Sequence, residues 1–129
     1  RTDDPRKVIV LIYDGLSPAA VRAAETPTLD RLAREGASSL DMLPEFPTLS
    51  LPNHFTLGTG CRPGRHGVVS NHFRDPDLGL YNAKGDADWL ADCELIHETA
   101  ERQGVRTAAL ATVGNSSSRR GRSRRPDSR

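Results

Sequence analysis

The stretch KVIVLIYDG, residues 7–15, constrains the fold more than any other part of the chain. Val8 to Tyr13 is an unbroken apolar run, rich in β-branched side chains. An alternating pattern would leave one strand face in water. A continuous run has no wet face and reads as a strand covered on both sides, the habit of parallel sheets flanked by helices. The expectation is therefore an α/β fold with a mostly parallel sheet. Asp14-Gly15 closes the run at the C-terminal end of that strand, the edge where open α/β sheets bind ligands. On its own, Asp14 reads as well as a loop aspartate capping the next turn.

Helix signals follow. Ser17 is a candidate cap with Pro18 at the first helical position, and Thr26-Pro27 repeats the arrangement. Leu29, Leu32 and Ala33 then share one apolar face, and Gly36 is placed to stop the helix. Residues 37–43 (ASSLDML) suggest a short second strand. Trp89, Leu90, Cys93, Ile96 and Ala100 fall near helical spacing, which predicts a helix over 89–103 stopped by Gly104. Residues 105–113 (VRTAALATV) read as another buried strand. There is no internal repeat.

After Val113 no large apolar side chain remains, so residues 1–113 are expected to form the folded part and 114–129 a solvated, disordered tail. Residues 119–129 carry six arginines against Asp127, a local balance of +5. That leaves −4 for the rest of a chain whose net charge is +1. The tail lacks the interleaved aromatic residues of a base-stacking surface, and no nucleic-acid partner is expected. No apolar run approaches the roughly 18 residues of a membrane span. The chain begins at Arg1 and not methionine, which reads as a fragment, a processed product or an edited sequence; compartment and oligomeric state stay open. Cys61 and Cys93 have no metal-ligand spacing, which leaves either one disulfide or two free thiols.

The chemistry concentrates in FPTLSLPNHFTLGTG, residues 46–60, and the Gly-, Pro- and Asp-rich residues after it, which read as functional loop more than core. Ser50 has the context of a helix N-cap, with Leu51-Pro52 opening the helix. The same position suits an anionic oxygen, because unpaired N–H groups and the macrodipole favour negative charge there. A serine hydroxyl needs activation to act as a nucleophile. The glycines of a GxSxG elbow are missing around Ser50, so a divalent metal is the route left.

Together, VIVLIYDG and FPTLSLPNHFTLGTGCRPGRHGVVSN resemble the N-terminal part of the type I phosphodiesterase/nucleotide pyrophosphatase family, within the alkaline phosphatase superfamily. The resemblance covers roughly the first half of the chain. It rests on Asp14, Pro47, Pro52, Asn53, His54, Thr59, Gly60, Pro63, His66, Gly67 and Asn71 occurring together. It implies an alkaline-phosphatase-like three-layer sandwich, a site with two Zn2+ ions, and phosphodiester or nucleotide substrates. It also admits a secreted or extracytoplasmic setting. Asp14 would be the first zinc ligand. Ser50 would be the nucleophile, usually threonine in the family, and would also touch zinc. Asn71 would hold a phosphate oxygen through its side-chain amide. Thr48 aligns with an earlier threonine of the motif. His54 and His66 would be scaffold, and His72 and His97 surface or loop residues.

CRPGR, residues 61–65, also matches the CxPxR pattern of sulfatases, whose cysteine becomes formylglycine. Cys61 lies on the wrong side of Thr59-Gly60 for that role, and Ser50 takes the nucleophile position while His54 stands where sulfatases carry arginine. A sulfatase-like hydrolase is the weaker alternative, and a non-catalytic fragment with Ser50 as a cap is the other. The family draws its remaining zinc ligands from regions well beyond Asn71. Residues 86–104 resemble the helix that precedes them, so the chain alone is expected to be inactive or nearly so.

Overall fold

Proline and hydroxyl residues start the first helices where the sequence places them. The computed structural model describes residues 7–81, 89–90 and 93–110. The chain divides into two compact units, Arg1–Met42 and Leu43–Arg129. This division falls inside the expected 1–113 domain, and the 114–129 tail lies outside the described residues. In the first unit, α1 (Pro18–Ala23) begins with Ser17, whose Oγ accepts the Ala20 N–H at 3.1 Å. Helix α2 (Pro27–Glu35) ends at Gly36 as expected, but Thr26 makes no side-chain cap bond. Its hydroxyl instead donates to Asp30 Oδ1 at 3.1 Å.

The expected strand over residues 8–13 does not form. Val8, Ile9, Val10 and Leu11 stay 69–87% exposed, and the segment pairs with no other strand among the described residues. A strand exists through its ladder, so an apolar sequence without a neighbour remains an unpaired, uncovered segment. Residues 37–43 and 105–110 likewise form no strand, and 111–113 lie outside the described residues. The mostly parallel sheet and the three-layer sandwich built on it are therefore not formed among the described residues. The sheet seen there is antiparallel and two-stranded.

The second unit holds the core. Helix α3 (Ser50–Thr59) packs against α4 (Pro63–His66) and against α5 (Ile96–Arg102). Strands β1 (Phe73–Asp75) and β2 (Gly79–Tyr81) form a hairpin with Phe73 opposite Tyr81. Asp75 Oδ1 builds its turn, accepting the N–H groups of Asp77 and Leu78 at 2.8 Å each. Phe55, Val68, Tyr81, Leu90 and Leu95 are fully buried together, each side chain contributing about 1.5–3 kcal/mol for leaving water. Trp89 presents edge-on to both Phe73 and Tyr81, with ring centroids 5.4 and 5.1 Å apart.

Two expectations change here. The segment after Gly60 is not simply loop, since it carries α4, the hairpin and the buried His66 and Val68. The helix expected over 89–103 spans only Ile96–Arg102 among the described residues. Leu90, Cys93 and Leu95 instead turn into the core, and Cys93 is bonded to Cys61. Glu98 reaches back to the Leu95 N–H at 3.1 Å, which starts α5 there. The cysteine pair is thus a disulfide, closing a loop of 32 residues onto the end of α3. Among the described residues no helix is long and apolar enough to cross a membrane.

Candidate active site

Ser50 stands at the mouth of α3, one position inside the helix rather than at its cap. Leu49 takes the N-cap position with extended backbone, φ −123° and ψ 156°, and no side-chain cap bond. The expectation that Ser50 caps the helix is corrected by this shift. Its physical reason is a cap supplied from elsewhere: Asn71 Oδ1 accepts the Leu51 N–H at 3.0 Å. The orphan donors of the first turn are then largely accounted for. The Leu49 N–H donates to Pro47 O at 2.8 Å, and Pro52 has no N–H to satisfy.

The Leu51 bond also fixes which way the Asn71 carboxamide faces. A backbone N–H can be met only by the oxygen, so Oδ1 points to Leu51 and the Nδ2 hydrogens point away from it. Ser50 and Asn71, 21 positions apart in the chain, are in this way both tied to the first turn of one helix. Asp14 belongs to the other unit, in the turn with Gly15 at φ 71°. Among the described residues no group of three or more His, Cys, Asp or Glu converges as a metal cage.

His66 is completely buried between α3 and α4. Its Nδ1 accepts the Val68 N–H at 3.1 Å, so the proton of the neutral ring sits on Nε2. That nitrogen lies 3.2 Å from both Pro52 O and Thr56 Oγ1. Since the Thr56 hydroxyl already donates to Pro52 O at 2.9 Å, it accepts from His66. Burial pushes the His66 pKa below its ordinary value, and the Pro52 carbonyl only partly offsets this. With both nitrogens spent inside the protein, His66 is a brace between helices and not a metal ligand. His54 sits half-buried on α3, His72 is exposed and His97 is half-buried on α5.

Asn53 forms a constellation for which the sequence carried no stated role. Its Oδ1 accepts the Glu45 N–H at 2.8 Å, and its Nδ2 donates toward the carbonyls of Glu45, Pro47 and Leu49 at 3.2, 3.1 and 3.0 Å. The available signal was an asparagine one turn into a helix that follows a proline-containing loop. That position lets a carboxamide fold back onto the entering chain.

The profile of type I phosphodiesterase / nucleotide pyrophosphatases matches residues 8–128. The chain belongs to that family. An uncharacterized pyrophosphatase/phosphodiesterase of Schizosaccharomyces pombe is 36% identical over 114 residues, 84% of this chain and 24% of the relative. Ectonucleotide pyrophosphatase/phosphodiesterase family member 7 of Rattus norvegicus is 34% identical over 113 residues, 84% of this chain and 26% of the relative. Ectonucleotide pyrophosphatase/phosphodiesterase 1 of Saccharomyces cerevisiae is 43% identical over 77 residues, 54% of this chain and 10% of the relative. The chain thus spans about a quarter of the length of the first two relatives. The phosphodiesterase family is one of hydrolases. Cys61 of the CxPxR match is held in the disulfide with Cys93 and is not a free thiol.

Proposed function

We propose that the full-length protein carrying this chain hydrolyses phosphodiester or pyrophosphate bonds of nucleotide-like small molecules, with Ser50 as nucleophile. The observation that supports this reading most is the Leu51–Asn71 bond, which ties the candidate nucleophile and the candidate oxyanion donor to one helix mouth.

The chain's own residues have separable tasks. Ser50 Oγ attacks phosphorus, forms a phosphoester and displaces the leaving oxygen; water then cleaves that ester and returns the hydroxyl. The α3 N-terminus opposes the negative charge of the phosphoryl group with its macrodipole. Asn71 Nδ2, turned away from Leu51, donates to a nonbridging oxygen as charge builds there, a contribution of about 10²–10³ in rate for one such donor. Asn53 and His66 hold the loop and helices that carry these groups.

Zinc is part of the proposal as the family's metal. Asp14 and Ser50 are two oxygen donors of the right chemistry, whereas each zinc prefers about four ligands. In this proposal Asp14 and Ser50 supply two of the donors, and the other ligands come from the rest of the full-length protein. Bound there, zinc would lower the pKa of the attacking hydroxyl and neutralise phosphate charge. We accordingly expect negligible turnover from the 129-residue chain alone.

The test is hydrolysis of p-nitrophenyl thymidine monophosphate by the full-length protein. Activity that disappears in Ser50→Ala, with thermal stability unchanged, fits a nucleophile inside the helix. Retained activity with a loss of about 1 kcal/mol in stability would mark a cap instead.

A further inference from the structure

Residues 45–49 form the approach to Ser50, and their backbone is held by a side chain from within the helix they lead into. All four hydrogen bonds of the Asn53 carboxamide end on the main chain of this segment. Glu45 is gripped on both its N–H and its C=O, in the manner of a peptide pairing with a peptide. The two Nδ2 hydrogens are shared over three carbonyls, the last of which, Leu49 O, also accepts the Asn53 N–H at 3.3 Å. Because the Glu45 N–H must meet an oxygen, the orientation of the carboxamide is determined by its partners.

We propose that Asn53 is a positioning residue for the reaction: it holds segment 45–49 against the first turn of α3 and thereby sets where Ser50 Oγ can stand. The catalytic half of this statement rests on the reading of Ser50 as nucleophile; the hold on the segment does not. Leu49 supplies the N-cap backbone that precedes Ser50, so any shift of its carbonyl passes directly into the Ser50 position. Misplacement of a reacting group by about 1 Å costs on the order of 10²-fold in rate. Asn53 touches no reacting atom in this scheme and acts only through the chain it holds.

The experiment compares wild type, Asn53→Ala and Asn53→Asp in the full-length protein, by steady-state kinetics on p-nitrophenyl thymidine monophosphate and by amide hydrogen exchange. Asn53→Asp keeps an acceptor for the Glu45 N–H but sets a carboxylate against three carbonyls. The expected result is a fall in kcat of about 10- to 100-fold in both variants with KM within about twofold. In Asn53→Ala exchange should quicken at Glu45 and Leu49 while Phe55 and Val68 stay protected. Unchanged exchange at Glu45 and Leu49 in Asn53→Ala overturns the hold. Unchanged kcat beside quickened exchange overturns the positioning role. Equal loss of protection at Phe55 and Val68 reduces Asn53 to a fold residue and also overturns it. A wild type without phosphodiesterase activity would instead refute the catalytic reading, and the exchange pattern would still decide the hold.

Discussion

Replacing Asn71 separates its two tasks. The oxygen of its carboxamide satisfies the Leu51 N–H at 3.0 Å in a partly buried place, and the nitrogen is the proposed oxyanion donor. Asn71→Ala removes both. Losing an N-terminal helix acceptor costs about 1 kcal/mol, within a range of about 0.5–2. For a folded part of this size that is a drop in Tm of about 4–8 °C. Asn71→Asp restores an acceptor for Leu51 and adds a negative charge at a helix N-terminus, favourable by about 0.3–1 kcal/mol. Its Tm should equal or exceed that of wild type. Activity should nevertheless fall by about 10²–10³ in both variants, since neither retains the donor, and the carboxylate introduced by Asn71→Asp would in addition repel the phosphoryl group. Thermal melts of the three proteins and p-nitrophenol release by their full-length forms read the two tasks apart. If Asn71→Asp keeps activity within about threefold of wild type, Asn71 serves only as a remote helix cap and the reasoning fails.

Three further outcomes are expected. The Cys61–Cys93 disulfide closes a loop of 32 residues, so chain-entropy arguments put its contribution at about 3–4 kcal/mol; Cys93→Ser should lower the denaturation midpoint accordingly, and an unchanged midpoint would count against it. His66 has a lowered folded-state pKa, so the unfolded chain binds its proton first as pH falls. Its contribution to stability should be complete above about pH 6.5 and be lost as pH drops from there through the folded value, a slope that Tm-versus-pH profiles should show in wild type but not in His66→Leu. Thr48→Ala should leave kcat nearly intact where Ser50→Ala abolishes it, and the reverse ranking in a hydrolysis assay would move the nucleophile to Thr48.

Local helix starts were legible in the sequence, and contacts between distant residues were not. Ser17-Pro18 announces α1 because cap and proline chemistry act within one turn, and the structure shows that cap. Ser50 and Asn71 stood out through the spacing of a whole motif, and the structure bonds Asn71 to Leu51, the residue after Ser50. What the sequence could not show was that Asn71 reaches Leu51 and so displaces Ser50 from the cap, since the bond spans 20 residues. The four bonds of Asn53 are hidden for a related reason: a carboxamide gripping main chain leaves no trace in its partners' side chains. Periodicity misled over 89–103, where the disulfide and the aromatic cluster around Trp89 outweigh local helical spacing. The run Val8–Tyr13 states correctly that it is apolar. Whether it becomes a strand depends on neighbours that its own sequence does not encode.

The most direct measurement is the site of covalent attachment when the full-length protein is quenched with acid during turnover of p-nitrophenyl thymidine monophosphate and digested for mass spectrometry. The thymidylyl group should appear as an ester on Ser50, and disappear in Ser50→Ala. A thymidylyl group on Thr48, or turnover that persists in Ser50→Ala with no covalent species, would contradict the assignment of Ser50 as the attacking oxygen.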